Sequence, residues 1–242
     1  MYHTDLAYIH DRGFGEFSRT AASGLLKLFE NHGIHQGRVV DLGCGSGIWA
    51  KALSESGYQI HGIDISQAMI EFAKERVPEG SFEVGSIYSA SFPSCQAVTA
   101  IGECLSYLEK GENRQDPVPL FLKIFDSLTP GGLFVFDALA PGQLSPSERI
   151  RNFHTGEDWA ILIEKREQER ILTREITLFR KINVHYRRSE ETHRLSLRSP
   201  ERMRRMLEEC GFEVIRLYSY GEISLQEGHY AFLATKPVGL QC

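Results

Sequence analysis

Hydrophobic and polar positions along this chain follow two periods in turn, and their alternation predicts the fold class. Apolar residues recur at helical spacing from Phe17 to Phe29, and the run "RVVDL" after them predicts a first strand. Strand and helix patterns then alternate as far as "LFVFDAL" at residues 133–139. This alternation is typical of α/β proteins, in which helices cover both faces of a parallel sheet.

The pattern changes beyond Pro141. Over residues 158–197, β-branched and aromatic residues alternate with charged ones, which predicts antiparallel strands with one solvated face. Ser199 and Pro200 then fit the N-cap and first turn of a helix, and the strands "FEVIRLYSY" and "YAFLATK" follow it. The predicted domains are an α/β core formed by residues 1–140 and 199–242, and a β-rich insertion at residues 141–198.

The composition limits which partners the protein is expected to bind and where in the cell it is expected to occur. With 42% hydrophobic and 24% charged residues, the chain has the composition of a globular protein that buries a substantial core. A net charge of -5 argues against a surface built to bind nucleic acid, and no apolar run is long enough to cross a membrane. The start of the chain lacks a secretory signal, so we expect a cytoplasmic protein. Five cysteines without a CxxC pair indicate neither a disulfide framework nor a metal site.

A turn rich in glycine follows the first strand. Asp41 ends that strand, and Gly43, Gly45 and Gly47 lead into the next helix. Backbone N–H groups and the positive end of a helix dipole therefore meet at the carboxyl edge of the sheet, where they favour an anionic or polar ligand. Asp64 ends the second strand, and an acid there can accept hydrogen bonds from both hydroxyls of a ribose. This spacing predicts a nucleotide-like ligand.

The spacing of these glycines departs from the dinucleotide-binding pattern G-x-G-x-x-G. The position due for the third glycine is Ile48, and Gly47 falls one residue early. An NAD-dependent oxidoreductase is therefore the weaker interpretation, although it stays open. The run "DLGCGSG" at residues 41–47 instead resembles the acid-x-G-x-G-x-G loop of the class I S-adenosylmethionine-dependent methyltransferases.

Three further segments resemble motifs of that family in the same order. They are "GIDIS", "AVTAIGECLSYL" and "LTPGGLFVFD", and with the glycine loop they cover residues 39–137. The resemblance implies a Rossmann-like, doubly wound sheet in the order 3-2-1-4-5-7-6 with an antiparallel last strand, and S-adenosylmethionine as the cofactor. The cofactor-binding positions that it implies are Asp41, Gly43, Gly45, Gly47, Asp64, Ile65, Met69, Ser86, Ile87 and Gly102, with Tyr8 and Arg19 in a lid before the first strand.

The resemblance also suggests what some of these residues contact. Ile65 would lie against the adenine. Ser86 stands where the family usually has an aspartate that binds the adenine amino group, so the serine hydroxyl or the backbone of Ile87 would replace that aspartate. In the lid, the aromatic rings of Tyr8 and Phe14 could contact the sulfonium, and Arg19 could pair with the carboxylate of the cofactor.

Candidates for the chemistry lie past the fourth strand and in the insertion. Glu103 could orient a protonated amine or accept its proton, the alternative being a solvated loop acid. His154 or His193 could act as a base near neutral pH, although surface histidines are commoner. The insertion, residues 141–198, lies where related enzymes add the cap that selects the acceptor. We expect methyl transfer to a nitrogen or oxygen of a small molecule.

A second function from another class stays open. The chain could be a binding module that holds S-adenosylmethionine without catalysing transfer. Two observations motivate this alternative: Ser86 replaces the usual acid, and the residues alone do not fix the base. Cofactor binding without turnover on any acceptor would favour the module, and binding of NADH in place of S-adenosylhomocysteine would favour the oxidoreductase.

Overall fold

The computed structural model describes residues 2–109, 111–112 and 115–239. Within them, none of the helices has the length and apolar character that a bilayer-spanning segment requires. The helices of the described residues are α1 (Thr4–Gly13), α2 (Glu16–Asn31), α3 (Ile48–Glu55), α4 (Gln67–Arg76), α5 (Val118–Ser127), α6 (Pro200–Glu209) and a short 3-10 helix (Cys104–Ser106).

Most of the strands lie in two sheets, one central and one formed by the insertion. The strands of the described residues are β1 (Gly37–Leu42), β2 (Tyr58–Asp64), β3 (Ser81–Val84), β4 (Cys95–Ala100), β5 (Leu128–Leu139), β6 (Ile150–Thr155), β7 (Trp159–Gln168), β8 (Ile171–Ile182), β9 (His185–Ser196), β10 (Glu213–Leu217), β11 (Ser219–Tyr220), β12 (Ile223–Ser224) and β13 (His229–Thr235).

The central sheet has the order β3-β2-β1-β4-β5-β13-β10. Strands β1 to β5 pair in parallel, whereas β13 pairs antiparallel with both β5 and β10. This arrangement confirms the predicted doubly wound sheet with an antiparallel last strand. Apolar side chains cover both faces because successive residues of a buried strand point to opposite sides. One face packs against Leu25, Phe29, Leu53 and Ile70, and the other against Phe121, Ile124, Met203 and Leu207.

The insertion forms a four-stranded antiparallel sheet, in the order β6-β7-β8-β9. Leu172 and Leu195 of this sheet pack against Leu139 at the end of β5, and another part of it packs against α1. Leu6 and Ile9 of α1 pack against this second part in an apolar cluster that includes Trp159, Ile176 and Leu178. Helix α1 therefore packs against the insertion. Near the C-terminal end of α1, Asp11 pairs with Arg76 of α4 at 2.8 Å. The hydrophobic pattern did not predict α1, because its buried residues are few and lie among polar ones.

A buried carboxylate fastens α1 to the insertion. Asp5 is only 6% exposed, and it accepts hydrogen bonds from Arg180 at 3.2 Å, from Arg187 through Nε at 2.6 Å and from Ser189 at 3.3 Å. Burial alone would raise the pKa of Asp5, but the two arginines outweigh it and lower that pKa. The carboxylate is therefore ionised and paired at neutral pH.

We expect Asp5→Ala to lower the free energy of unfolding by about 1–3 kcal/mol, because donors that are partly buried lose their acceptor. Urea denaturation measures the loss, and faster amide exchange confined to α1 would locate it. Arg188→Ala is the matched control: it removes the exposed pair between Arg188 and Glu190 and should cost less than about 0.5 kcal/mol. Equal losses in the two variants would contradict a docking role for Asp5.

Candidate active site

The turn between β1 and α3 has a left-handed backbone at each of its three glycines. The φ angles are 69° at Gly43, 53° at Gly45 and 76° at Gly47. The N–H of Gly43 donates to the carbonyl of Ile63 at 2.8 Å, and the N–H of Gly45 donates to Oδ2 of Asp64 at 2.9 Å. These bonds join the turn to the end of β2. The two strand ends that the sequence singled out therefore form one structure.

Gly45 is the position where a side chain would enter open space. A Cβ built there meets no atom within 4 Å, whereas a Cβ at Gly47 comes within 3.0 Å of Ala73. Packing within the protein therefore explains the glycine at Gly47. At Gly45 the protein needs only the backbone conformation, and the space beside it is free for a ligand that approaches the main chain closely.

This space belongs to a cavity of about 920 Å³ at the carboxyl edge of the central sheet. The cavity runs from the glycine turn to a chamber under α1 and beside β9. Ten of the residues proposed from the sequence line it: Asp41, Gly43, Gly45, Asp64, Ile65, Met69, Ser86, Ile87, Gly102 and Glu103.

Asp64 presents a carboxylate to this cavity from the end of β2. Its oxygens accept hydrogen bonds from the N–H groups of Gly45 and Ser66, at 2.9 and 2.8 Å. Burial raises its pKa, although the two N–H groups lower it in part. Each oxygen keeps a second lone pair, so the carboxylate can still accept two hydroxyl groups of a ligand.

Asp41 lies before the turn, in a buried hydrogen-bond network. Its Oδ1 accepts from the Thr99 hydroxyl at 2.8 Å, and Trp49 Nε1 donates to the same hydroxyl at 3.2 Å. Burial raises the pKa of Asp41 to about 7. An acid whose pKa is higher in the folded than in the unfolded state, where it is about 3.9, keeps a proton that the unfolded chain releases. Its contribution to stability is therefore present at low pH and is lost as the pH rises from about 4 to about 7.

We expect Asp41→Asn to flatten this pH dependence, because the amide keeps the acceptor for Thr99 but does not titrate. Urea denaturation at a series of pH values should give unfolding free energies that fall less steeply in the variant between about pH 4 and 7. At pH 4 the two proteins should be similar, and above pH 7 the variant should be the more stable. Parallel curves would mean that Asp41 ionises normally in the fold.

Ser86 and Ile65 both line the cavity, and the sequence predicted that they contact adenine. The Ser86 hydroxyl donates to Glu109 and accepts from the N–H of Tyr88 at 3.2 Å. Ile65 is 37% exposed on the cavity wall, which is unusual for a large apolar residue next to a buried strand. An aromatic ring of a ligand would cover it.

Glu103 follows β4 in a left-handed conformation, with φ of 58°. The carboxylate of Asp137 holds this turn, since it accepts from the N–H of Gly102 at 2.9 Å, from the N–H of Glu103 and from the Tyr220 hydroxyl at 3.1 Å. Burial raises the pKa of Asp137 to about 6. The turn directs the Glu103 side chain into the chamber.

The Glu103 carboxylate has two basic neighbours. Oε1 accepts from Arg174 of β8, and Oε2 lies 3.3 Å from Nε2 of His229 at the start of β13. Burial would raise the pKa of Glu103, but Arg174 and His229 outweigh it and hold that pKa at about 2. A carboxylate this acidic is a poor proton acceptor at neutral pH. The geometry therefore disfavours the proton-accepting role predicted for Glu103 and leaves it the role of a fixed negative charge.

Four of the proposed site residues do not line the cavity. Besides Gly47, they are Tyr8, whose hydroxyl donates to Asp158 at 2.9 Å, and Arg19, which pairs on the surface with Glu16 at 3.3 Å. His154 is exposed, with its ring edge-on to Phe14 at 5.4 Å. The alternative histidine, His193, is buried beside Glu191, and burial lowers its pKa.

Other cavity residues were missed from the sequence. Tyr2, His10 and His229 line the chamber, together with Phe14, which was expected in the lid, and Tyr107, which lies in the segment "AVTAIGECLSYL". No motif marks Tyr2, His10 or His229, and their positions depend on how α1 and β13 dock. The only signal for His229 in the sequence is its position, since it lies between Gly228 and the last predicted strand.

Comparisons with known proteins agree with this geometry. Residues 14–217 match a family described as a methyltransferase domain. The chain is 26% identical over 215 residues to the putative methyltransferase YqeM of Bacillus subtilis (strain 168), covering 83% of this chain and 85% of the relative.

Two solved structures share the fold over nearly the whole chain. A S-adenosylmethionine-dependent methyltransferase from Clostridium acetobutylicum ATCC 824 superposes with a TM-score of 0.79 at 16% identity, over 96% of this chain and 98% of that one. An amino pentose methyltransferase from Micromonospora echinaspora, with S-adenosylmethionine bound, has a TM-score of 0.76 at 16% identity, over 98% of both chains.

Proposed function

This chain belongs to the S-adenosylmethionine-dependent methyltransferases, and on that premise we propose that it transfers the methyl group to a nitrogen or oxygen of a small molecule. Its cofactor is S-adenosylmethionine, which supplies a methyl carbon activated by attachment to a sulfonium. The acceptor end of the cavity supports the finer part of the proposal.

The residues at the glycine turn fit this cofactor. The open space beside Gly45 admits a ligand at van der Waals distance from the backbone, and the free lone pairs of Asp64 suit the two ribose hydroxyls. Ile65 and Met69 would offer apolar surface to the adenine, and the Ser86 hydroxyl a polar contact at its edge. We assign these contacts as part of the proposal.

One observation carries the proposed acceptor class: a single cavity of about 920 Å³ joins the glycine turn to a chamber lined by Tyr2, His10, Phe14 and residues of β9. The cofactor occupies part of this volume, so the remaining space suits an acceptor of small size. The amino pentose methyltransferase from M. echinaspora is consistent with this size class.

The insertion contributes to the proposed site in two ways. It fastens α1 over the chamber through Asp5, and it supplies Arg174, which fixes Glu103. We therefore propose that residues 141–198 form a cap for the acceptor site. Such a cap excludes water and holds the acceptor in line with the methyl carbon, and positioning of this kind supplies about 7–11 kcal/mol in favourable model reactions.

Calorimetric titration with S-adenosylhomocysteine, together with a methyl-transfer assay over amines, phenols and alcohols of small size, tests the proposal. We expect cofactor-product binding and turnover of at least one acceptor in that panel. Tight binding without turnover of any acceptor would favour the non-catalytic module. Turnover of a protein or nucleic acid alone would overturn the assignment to small molecules.

A further inference from the structure

A histidine missed from the sequence occupies the position that a proton acceptor needs. His229 begins β13, its side chain is 23% exposed, and it lines the chamber together with Glu103. Its Nε2 lies 3.3 Å from Oε2 of Glu103, and its Nδ1 lies 3.3 Å from the carbonyl oxygen of Glu227. We propose that His229 is the catalytic proton acceptor for the methyl acceptor, with Glu103 and Arg174 as positioning residues. This inference rests on the proposed function.

The contacts of the ring fix its tautomer. A carbonyl oxygen can only accept, so Nδ1 carries the proton that is donated to Glu227. In the neutral ring, Nε2 then presents a lone pair toward Oε2 of Glu103, and two acceptors face each other across 3.3 Å. A hydrogen atom supplied from the chamber would satisfy both. An N–H or O–H of an acceptor molecule provides that hydrogen.

Arg174 keeps Glu103 in place for this arrangement. It lies on β8, donates to Oε1 of Glu103 and also contacts the Tyr107 hydroxyl at 3.4 Å. Arg174 does not line the cavity, so it acts on the acceptor through the two cavity residues that it contacts, Glu103 and Tyr107. The chain Arg174, Glu103, His229 thus has the general form of a base oriented by a third group.

The proposed step balances in atoms and charge. A lone pair on the nitrogen or oxygen of the acceptor forms the new bond to the methyl carbon, and the carbon–sulfur bond breaks with its electron pair left on sulfur. The proton released by the acceptor moves to Nε2 of His229. The positive charge that began on the sulfonium ends on an imidazolium, which the Glu103 carboxylate stabilises. Solvent takes this proton after the products leave.

The charges that face His229 set its titration. Burial lowers its pKa, but the Glu103 carboxylate, the Glu227 carbonyl and the Asp137 carboxylate of β5 together raise it above the ordinary value. A base must be neutral to accept a proton. Activity should therefore rise with pH through the pKa of His229, and without the Glu103 charge this rise should move to lower pH.

The first experiment compares kcat and its pH profile in the wild type, His229→Gln and Glu103→Gln, with a turned-over acceptor at saturation. We expect His229→Gln to lower kcat about 100-fold and to remove the rising limb, and Glu103→Gln to move that limb to lower pH. Affinity for S-adenosylhomocysteine should change less than about twofold, since neither side chain is assigned to the cofactor. His185→Gln, an exposed histidine at the start of β9, is the matched control and should keep the wild-type rate.

A second measurement needs neither an acceptor nor turnover. NMR titration of the histidine side chains in the protein bound to S-adenosylhomocysteine should give a pKa for His229 above the ordinary value, and Glu103→Gln should lower it by about one unit or more. Arg174→Met tests the positioning role: it should leave binding of S-adenosylhomocysteine intact but lower kcat and broaden the pH profile.

The outcomes separate this inference from the proposed function. A wild type that methylates small molecules while His229→Gln keeps both its kcat and its rising limb overturns only the inference. An unchanged His229 titration in Glu103→Gln also overturns it, whether or not an acceptor is known. A wild type without turnover on any acceptor overturns the proposed function, and the NMR titration then still decides whether Glu103 and His229 are coupled.

Discussion

Replacing Gly45 with valine is expected to weaken binding of S-adenosylhomocysteine by at least about 100-fold, which corresponds to about 2.7 kcal/mol. The substitution has two effects. A β-branched residue is strained at φ of 53°, which lowers stability by about 1–3 kcal/mol. Its side chain also occupies the space beside the turn where no protein atom lies within 4 Å, and this second effect weakens binding. Calorimetric titration measures the loss of affinity.

A second glycine separates the two effects. Gly57, between α3 and β2, also has a left-handed backbone, with φ of 86°, and a Cβ there also meets nothing within 4 Å, but it lies outside the cavity. Gly57→Val should therefore cost similar stability and leave the affinity unchanged. If both variants bind the ligand as the wild type does, the cofactor does not approach the backbone at Gly45.

Replacing Asp64 with alanine should weaken the same ligand by about 10- to 100-fold. Hydrogen bonds to a charged group contribute about 1.5–3 kcal/mol, and tenfold in affinity corresponds to about 1.4 kcal/mol. The variant loses the acceptor for the ribose, and it also frees the N–H groups of Gly45 and Ser66 that Asp64 holds. Both changes disfavour the bound state.

Two controls define what the Asp64 measurement means. Asp64→Asn keeps the shape but replaces one acceptor oxygen with a donor, so we expect an intermediate loss. Glu83→Ala removes an exposed carboxylate from the neighbouring strand β3 and should leave affinity within about twofold of wild type. An Asp64→Ala variant that binds as tightly as Glu83→Ala would show that the ribose lies elsewhere.

The central sheet and the glycine turn could be predicted because their signals are local. Asp41 and Asp64 lie at the ends of two strands, the three glycines join the first of these strands to a helix, and parallel strands bring their carboxyl ends to one edge. The hydrogen bond from Gly45 to Asp64, 19 positions apart, follows from that topology. Short-range patterns therefore suffice for the cofactor half of the cavity.

The acceptor half could not be predicted in the same way. Tyr8 and Arg19 were expected in a lid, but α1 docks so that Tyr8 faces the insertion, with Arg180 3.7 Å from the centre of its ring. The bonds of Asp5 to residues more than 170 positions away help to set that orientation. Residue spacing near the N-terminus carries no information about such partners.

For His154 and His229, too, the local sequence does not predict which side chain lies in the chamber. Both are single histidines in β-rich segments, and nothing in their neighbouring residues separates an exposed ring from one beside Glu103. The difference arises because β13 enters the central sheet next to β5, which carries His229 to the carboxyl edge, while β6 lies at the outer side of the insertion. Strand order decides which histidine reaches the chamber.

The position of β13 has a consequence for biosynthesis. This strand is made after β10 but pairs between β10 and β5, so the apolar β5 has an open edge until residues 229–235 have left the ribosome. An open strand edge is a template for aggregation, and a nascent chain held at this stage would depend on chaperones to protect it. Since His229 arrives with the strand that closes the gap, the growing polypeptide acquires its proton acceptor only when its sheet is complete.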